Sequence, residues 1–245
     1  MPNFITKNIP NTITCCNLIS GCIATTFALE GNQRLALAFI ILGAVFDFFD
    51  GMTARLLHVS SPIGKELDSL ADDVTFGVAP ASMVFTLLFQ LPYPDTLVSL
   101  HGILPYVAYV IAAFSALRLA KFNLDERQTT SFIGLPTPAN ALFWGALIVG
   151  GGNRLIHVPF SIWVVLALVA LSCWMLVAEI PLFALKFKQW GWRGNEVKYI
   201  FLLSCIPILA LMGVSGIAVI IAWYVVLSLA NNSFGARHKQ KNDEQ

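Results

Sequence analysis

Charged side chains are scarce in this sequence. Asp, Glu, Lys and Arg together make up 12% of the 245 residues, whereas 57% are hydrophobic and the mean hydropathy is +0.73. A soluble domain contains roughly 25% charged residues, so this composition excludes an ordinary soluble protein. It indicates instead an integral membrane protein.

Neither a cysteine framework nor a basic tract is present. The five cysteines (Cys15, Cys16, Cys22, Cys173 and Cys205) lie in apolar segments without the spacing of metal ligands. We interpret them as small buried side chains. No basic tract is interleaved with aromatic residues and the net charge is only +1, so nucleic-acid binding is not expected.

Eight apolar stretches have about the length that a helix needs to cross a membrane. They lie near 13–30, 34–57, 65–90, 102–121, 135–151, 159–184, 197–213 and 216–231. We therefore predict an all-α, polytopic bundle of about eight transmembrane helices, forming a single domain over 1–231. A short interfacial segment is expected at 1–12, and a polar, disordered cytoplasmic tail at 232–245.

The basic residues predict the orientation of this bundle. With eight spans and the N-terminus in the cytoplasm, the far side receives only Arg34 and Arg154. The cytoplasmic side receives Lys7, Arg55, Lys65, Arg118, Lys121, Arg127, Lys186, Lys188, Arg193, Lys198, Arg237, Lys239 and Lys241. Because basic residues concentrate in cytoplasmic loops, this asymmetry favours a multi-pass protein of the cytoplasmic membrane with both termini in the cytoplasm.

Four aspartates stand out against this apolar background. Asp47 and Asp50 lie three residues apart in the second span, so they share a helix face. Asp68 and Asp72 lie four apart in the third span and share a face in the same way. Pro62, which follows two serines, predicts a break between the two helices. The resulting hairpin would direct four carboxylates into one small volume in the cytoplasmic half of the membrane.

Buried groups of like charge need a counterion. An ionised aspartate in the middle of a membrane helix costs about 2.5–3.5 kcal/mol on insertion scales, and four of them also repel one another. Carboxylate oxygens are hard ligands, so we expect two divalent cations, Mg²⁺ or Mn²⁺, and Ca²⁺ suits the same ligands. Two metals about 3.5–4 Å apart can hold the attacking and leaving oxygens of a displacement at phosphorus.

Small residues and one arginine accompany the aspartates. Gly51 and Ala54 leave one face of the second helix bare beside Asp50, with room for a phosphate or a base. Gly64 opens the facing helix in the same way, and Arg55 offers a fork of donors for a phosphate oxygen. Small residues are also typical of packing seams between membrane helices, and from the residues alone that alternative stays open.

These residues form one continuous pattern, D-x-x-D-G-x-x-A-R, then eight residues, then G-x-x-x-D-x-x-x-D. The positions are Asp47, Asp50, Gly51, Ala54, Arg55, Gly64, Asp68 and Asp72. The pattern resembles the signature of the CDP-alcohol phosphotransferases at every position. That resemblance implies a membrane enzyme that passes the phosphatidyl group of a CDP-linked lipid to an acceptor hydroxyl and releases CMP. It further implies a two-metal site formed by the four aspartates, Asp72 as the catalytic base, and a homodimer.

Other segments are similar to the phosphatidylserine synthase branch of that family, namely 9–21, 64–81, 118–123 and 132–141. This similarity implies CDP-diacylglycerol as the donor and L-serine as the acceptor. A zwitterionic acceptor needs a cation for its carboxylate, and Arg118 and Lys121 are candidates, with Asn123 in the same segment. Basic residues at a cytoplasmic helix end also serve orientation and headgroup contacts, which is the alternative for this pair.

Two further polar residues lie within the spans. Asn17 in the first span either contacts the nucleotide of the CDP-lipid or bonds a neighbouring helix. Asp73 directly follows Asp72, where the branch has an apolar residue, and is the next candidate for the base.

The sequence therefore predicts a phosphatidyltransferase that works within the membrane and uses serine. One alternative is the same chemistry on glycerol 3-phosphate or an inositol phosphate, which would need a denser basic cluster near the site. The other is a cation transporter with an intramembrane site. The unbroken second helix and the lack of a visible inverted repeat in the sequence disfavour a transporter.

Overall fold

The computed structural model describes residues 4–59, 61–125, 132–183, 191–192 and 195–243, and it is dominated by helices. The α-helices are α1 (Phe4–Leu29), α2 (Gln33–Leu56), α3 (Pro62–Asp72), α4 (Ala79–Gln90), α5 (Val110–Leu124), α6 (Thr137–Leu155), α7 (Ser161–Val177), α8 (Glu196–Met212) and α9 (Ser215–Asp243). A π-helical segment, Asp73–Val78, joins α3 to α4, and two 3-10 segments, Val98–Leu100 and Leu104–Tyr109, precede α5. Strands β1 (Phe132–Ile133) and β2 (Pro181–Leu182) pair antiparallel.

Helical segments lie at all eight positions where the sequence predicts spans, with α3, the π-helical segment and α4 forming one rod. Within the described residues, five segments are long and apolar enough to cross a membrane: Asn8–Leu29, Gln33–Leu56, Pro62–Gln90, Leu104–Leu124 and Ser215–Asn232. Helix α7 is apolar but shorter. An all-α membrane protein is therefore confirmed, whereas the full count of eight crossings stays a prediction.

Both ends of the chain differ from the expectation. Helix α1 continues from Phe4 to Leu29 without a break, so no separate interfacial segment is distinguished within the described part of 1–12. Helix α9 continues to Asp243, so most of the expected disordered tail is helical. That stretch contains no proline, the residue that most effectively ends a helix.

The third predicted span lies at the centre of the bundle. In Pro62–Gln90, 67% of the most apolar window is buried inside the protein, against 17–33% in the other four candidate spans. The outer helices leave large apolar side chains exposed, for example Phe48 at 60%, as expected for surfaces that face lipid. The expectation that the cysteines are buried is confirmed for Cys173 but is wrong for Cys15 and Cys22, which are exposed on α1.

The turn between α2 and α3 lies where the proline predicts it. Helix α2 ends at Leu56, and His58 then adopts a positive φ of 52°. Ser61 caps α3, because its hydroxyl oxygen accepts the Gly64 N–H at 3.0 Å. Pro62 occupies the first turn of α3, where its missing N–H costs no helical hydrogen bond. This turn brings the acidic faces of α2 and α3 together.

Helices α1 and α2 and the π-helical segment approach each other closely at Thr75. A Cβ on Gly21 or on Gly43 would lie less than 3.0 Å from Thr75 atoms, so only glycine fits at both positions. The Thr75 hydroxyl donates to the backbone carbonyl of Asn17 at 3.0 Å. This hydrogen bond fixes the position of α1 along the continuous rod formed by α3, the π-helical segment and α4.

The short β pairing ties the entry of α6 to the end of α7. The Gly134 N–H donates to the Ile180 carbonyl at 3.0 Å, and the Leu135 N–H donates to the Met175 carbonyl at 2.9 Å. Gly134 has a φ of +75°, and a Cβ there would lie 2.9–3.2 Å from the carbonyl oxygens of the 175–178 stretch. The segment after α7 is therefore held against β1.

Candidate active site

Three of the four aspartates come together where α2 and α3 face each other. One carboxylate oxygen from each of Asp47, Asp50 and Asp68 lies within 4.8 Å of the other two. Among the described residues, the charged groups that act on Asp68 are Asp50 and Asp47, and no cation is among them. The spacing of the acids in the sequence thus translates into a shared volume.

A threonine of α1 holds one of these acids. The Thr14 hydroxyl donates to Oδ2 of Asp50 at 2.6 Å and also lies 3.0 Å from the Pro10 carbonyl. Both Thr14 and Asp50 are buried. The sequence alone assigns Thr14 no role, and the only available signal was its helical spacing from Asn17.

The fourth aspartate, Asp72, accepts a hydrogen bond from a second residue of helix α1. Oδ1 of Asp72 accepts a hydrogen bond from Nδ2 of Asn17 at 3.0 Å, and both side chains are buried. Asp72 lies outside the group of three, but the charges of Asp47 and Asp68 act on it. Of the two interpretations of Asn17, the structure shows a bond to a neighbouring helix, and that bond is to a candidate catalytic group.

The adjacent acids Asp72 and Asp73 face different helices. The position that a Cβ on Gly77 would occupy lies within 3.0 Å of both Oδ1 of Asp73 and Cβ of Ser115, so Asp73 faces α5. Asp72 instead faces Asn17 on α1. The π-helical segment begins between them, and such segments change the register of a helix, frequently at functional sites.

The residues at the cluster fit a divalent cation. Carboxylate oxygens are the ligands that Mg²⁺, Mn²⁺ and Ca²⁺ prefer. Oδ1 of Asp68 is buried and has no hydrogen-bond partner among the described residues. A buried carboxylate oxygen without a donor is costly, and a bound cation would satisfy it.

A cavity of about 300 Å³ opens beside the cluster. Its lining comprises Pro10, Asn11, Thr14, Asp50, Gly51, Ala54, Val59, Ser61, Gly64, Lys65 and Asp68. Gly51, Ala54 and Gly64, which the sequence assigns to the CDP-lipid, are all in this lining, whereas Arg55 and Asn17 are not. Arg55 is exposed at the end of α2.

Lys65 also lines this cavity. From the sequence alone, its charge contributes only to the predicted orientation in the membrane. Its ammonium group donates to the backbone carbonyl of Asn123 at 2.8 Å. The Asn123 amide in turn donates to the Ser69 hydroxyl at 2.7 Å. Asn123 therefore ties the end of α5 to α3 and lies outside the cavity linings, and its role in acceptor binding stays a prediction.

A second cavity, of about 370 Å³, lies at the cytoplasmic end predicted for α5. Its lining comprises Arg118, Lys121, Phe122, Leu124, Asp125, Ile133, Leu176, Val177, Ala178 and Glu179. Arg118 is only 8% exposed, its guanidinium lies 5.6 Å from the centre of the Phe122 ring, and the charge of Asp72 acts on it. The two predicted acceptor-binding cations thus line one cavity.

Comparison with known proteins identifies the class of this chain. The family model for CDP-alcohol phosphatidyltransferase matches residues 7–149, which include the four aspartates and Arg118. Because this match covers more than half of the chain, the protein belongs to the CDP-alcohol phosphatidyltransferase family.

Three relatives found by this comparison carry the same name. The chain is 44% identical over 131 residues to the CDP-diacylglycerol–serine O-phosphatidyltransferase of Bacillus subtilis, an alignment that covers 53% of this chain and 69% of that protein. It is 40% identical over 150 residues to the protein of the same name from Saccharomyces cerevisiae, covering 56% of this chain and 51% of the relative. It is 36% identical over 141 residues to the protein of that name from Mycobacterium leprae, covering 55% of this chain and 44% of the relative. The alignments thus span 44–69% of the length of these relatives.

Proposed function

We propose that this protein transfers the phosphatidyl group of CDP-diacylglycerol to the hydroxyl of L-serine and forms phosphatidylserine and CMP. The observation that carries the proposal is the convergence of Asp47, Asp50 and Asp68 beside a cavity, with Asp72 held by Asn17 on the neighbouring helix α1. The names of the relatives support the choice of donor and acceptor.

The first cavity suits the CDP part of the donor. Gly51, Ala54 and Gly64 present little side chain there, so a nucleotide or phosphate can approach the backbone of both helices. Lys65 in the lining, and Arg55 one turn beyond Gly51, are the cations for the phosphate oxygens.

The four aspartates are the proposed metal ligands. Asp47, Asp50, Asp68 and Asp72 would hold two divalent cations, Mg²⁺ or Mn²⁺, with Ca²⁺ suited to the same oxygens. When bound, such cations stabilise the negative charge that develops on the leaving phosphate and favour the alkoxide form of an attacking hydroxyl. The Thr14 hydroxyl keeps one oxygen of Asp50 oriented.

Asp72 is the proposed base. It removes the proton of the serine hydroxyl, the serine oxygen forms a bond to the phosphorus that carries diacylglycerol, and the bond from that phosphorus to the CMP oxygen breaks. Because Asn17 donates to Oδ1 of Asp72, Oδ2 remains to accept the proton. Arg118 and Lys121 bind the serine carboxylate, and Asn123 is a further acceptor contact.

The same proposal includes a location and an assembly. The excess of basic residues on one side supports a multi-pass protein of the cytoplasmic membrane, in contact with membrane lipids, whose active site and both termini face the cytoplasm. The family resemblance supports a homodimer. Labelling of single introduced cysteines from each side of the membrane tests the orientation, and light scattering of the purified protein tests the dimer.

The reaction is tested with the purified protein, CDP-diacylglycerol and Mn²⁺, given labelled serine in one assay and labelled glycerol 3-phosphate in another. We expect label in phosphatidylserine and one CMP released per lipid formed. A chelator should stop the reaction, and added Mn²⁺ or Mg²⁺ should restore it. Label found only in the glycerol lipid would overturn the choice of acceptor. Cation transport by reconstituted vesicles without CMP release would overturn the enzyme.

A further inference from the structure

The second cavity has charges of both signs. Arg118 and Lys121 enter it from α5, and Glu179 enters it from the segment after α7. Glu179 lies outside the residues that the family model matches and outside the aspartate signature. The same lining contains Asp125, which already takes part in another interaction, so Glu179 is the stronger candidate for binding a cationic group of a ligand.

Arg118 makes this cavity a built site. Its side chain is 92% buried (8% exposed), and its Nε has no hydrogen-bond partner among the described residues. Removing a guanidinium from water is costly unless an anion and good hydrogen bonds compensate it. Arg118 lines the cavity and its buried Nε lacks a partner, so its guanidinium points to an anionic group of a ligand.

Glu179 is held in place by the backbone around it. Helix α7 ends at Val177, and Gly134 and Leu135 bond the backbone on both sides of Glu179, at Ile180 and Met175. The close approach of the 175–178 carbonyls to Gly134 leaves no room for a side chain there. The β pairing therefore fixes the backbone at this position, from which the exposed Glu179 side chain lines the cavity.

We propose that this cavity binds the acceptor as a zwitterion, with Arg118 and Lys121 on its α-carboxylate and Glu179 on its α-ammonium group. The inference rests on the proposed function and adds the group that selects a free amino acid. Arg118 lies on α5, a helix that also contacts the π-helical segment directly after Asp72, so the proposed acceptor site borders the rod that carries the proposed base. Glycerol 3-phosphate and inositol phosphates lack an ammonium group, so Glu179 repels these acceptors and attracts serine.

The test compares Glu179→Gln with the unaltered full-length protein in the CMP-release assay. Loss of a charge-assisted hydrogen bond should raise the KM for serine about tenfold or more, with the KM for CDP-diacylglycerol unchanged. Glu66→Gln is the matched control, because Glu66 is an exposed acid on α3 that lies outside both cavity linings. Glu179→Asp keeps the charge and should give an intermediate KM.

A probe without the ammonium group separates binding from folding. The inhibition constant of 3-hydroxypropanoate against serine should stay equal or fall in Glu179→Gln, because this molecule keeps the carboxylate and hydroxyl of serine but has no ammonium for Glu179 to bind. An unchanged KM for serine, equal increases for serine and CDP-diacylglycerol, or equal weakening of serine and 3-hydroxypropanoate would overturn the inference. An increase found with Asp125→Asn instead would also overturn it. An unaltered protein that uses only another acceptor would overturn the proposed function itself.

Discussion

Nδ2 of Asn17 on α1 donates to Oδ1 of Asp72 at the end of α3, across 3.0 Å. Three residues earlier on the same helix, the Thr14 hydroxyl donates to Asp50 on α2. One face of α1 thus orients one carboxylate on each of the two acid-bearing helices. Helix α1 contributes no acid to the site, but it determines how two of the four acids are presented.

Asp72→Asn should abolish turnover, because the amide cannot accept the proton of the acceptor hydroxyl. Loss of a general base typically reduces the rate about 10²–10⁴-fold. The variant should still fold and bind a CDP nucleotide, which gel filtration and calorimetry would measure. Asp95→Asn, an exposed position in the loop after α4, is the control. Activity retained in the Asp72 variant would transfer the role of base to Asp73.

Asn17→Ala should lower kcat roughly tenfold, because Asp72 loses the hydrogen bond that orients it. The KM for serine and the KM for CDP-diacylglycerol should change little, since Asn17 lies in neither cavity lining. Asn153→Ala, an exposed position on α6, should leave the kinetics unchanged. If Asn17 only packed helices together, the variant would melt earlier but keep its kcat per folded molecule.

Thr14→Val tests the support of Asp50. Valine keeps the shape of threonine but cannot donate to the carboxylate, so the affinity for Mn²⁺ should fall about 10–100-fold, as is typical for partners of metal ligands. Thr12→Val is a matched control on the same helix, because the exposed Thr12 hydroxyl donates to the Asn8 carbonyl of its own helix and, within the described residues, to no acid. Calorimetric titration with Mn²⁺ measures both, and equal affinities would contradict a role of Thr14 at the metal site.

The sequence predicted those features of the site that depend on local spacing. The interval between Asp47 and Asp50 places both on one face of a helix, and the proline at 62 predicts the turn that brings Asp68 across from them. Hydrophobic length located the helical segments for the same reason. These properties depend on residues that are close together in the chain.

Features that depend on distant residues were not predicted. Thr14 is 36 residues from Asp50, and Asn17 is 55 residues from Asp72, so neither pair is visible without the packing of α1. The proposed role of Glu179 depends on the β pairing, which brings its segment to the same cavity as α5. The π-helical segment after Asp72 depends on local backbone register, for which the sequence carries no simple signal.

Gly43→Ala tests the close approach of α1, α2 and the π-helical segment. The added methyl group would lie less than 3.0 Å from Thr75 and from Oδ1 of Asn17, and overpacking of this kind costs about 1–3 kcal/mol. For a chain of this size, Tm should fall by roughly 2–12 °C, measured in detergent. Gly151→Ala on α6 is the control, because the nearest atom to its added methyl group is 4.0 Å away. An unchanged Tm in Gly43→Ala would contradict the tight packing.

Arg118→Ala should raise the KM for serine far more than the KM for CDP-diacylglycerol, because the buried guanidinium lines the second cavity and not the first. Loss of a charge-assisted contact predicts a change of about tenfold or more. Arg154→Ala is the control, since Arg154 is exposed at the C-terminal end of α6 and lines neither cavity. Ethanolamine, which lacks the carboxylate, should inhibit the unaltered protein and the Arg118 variant equally. Equal increases in KM for both substrates would instead assign Arg118 a structural role and remove the acceptor from this cavity.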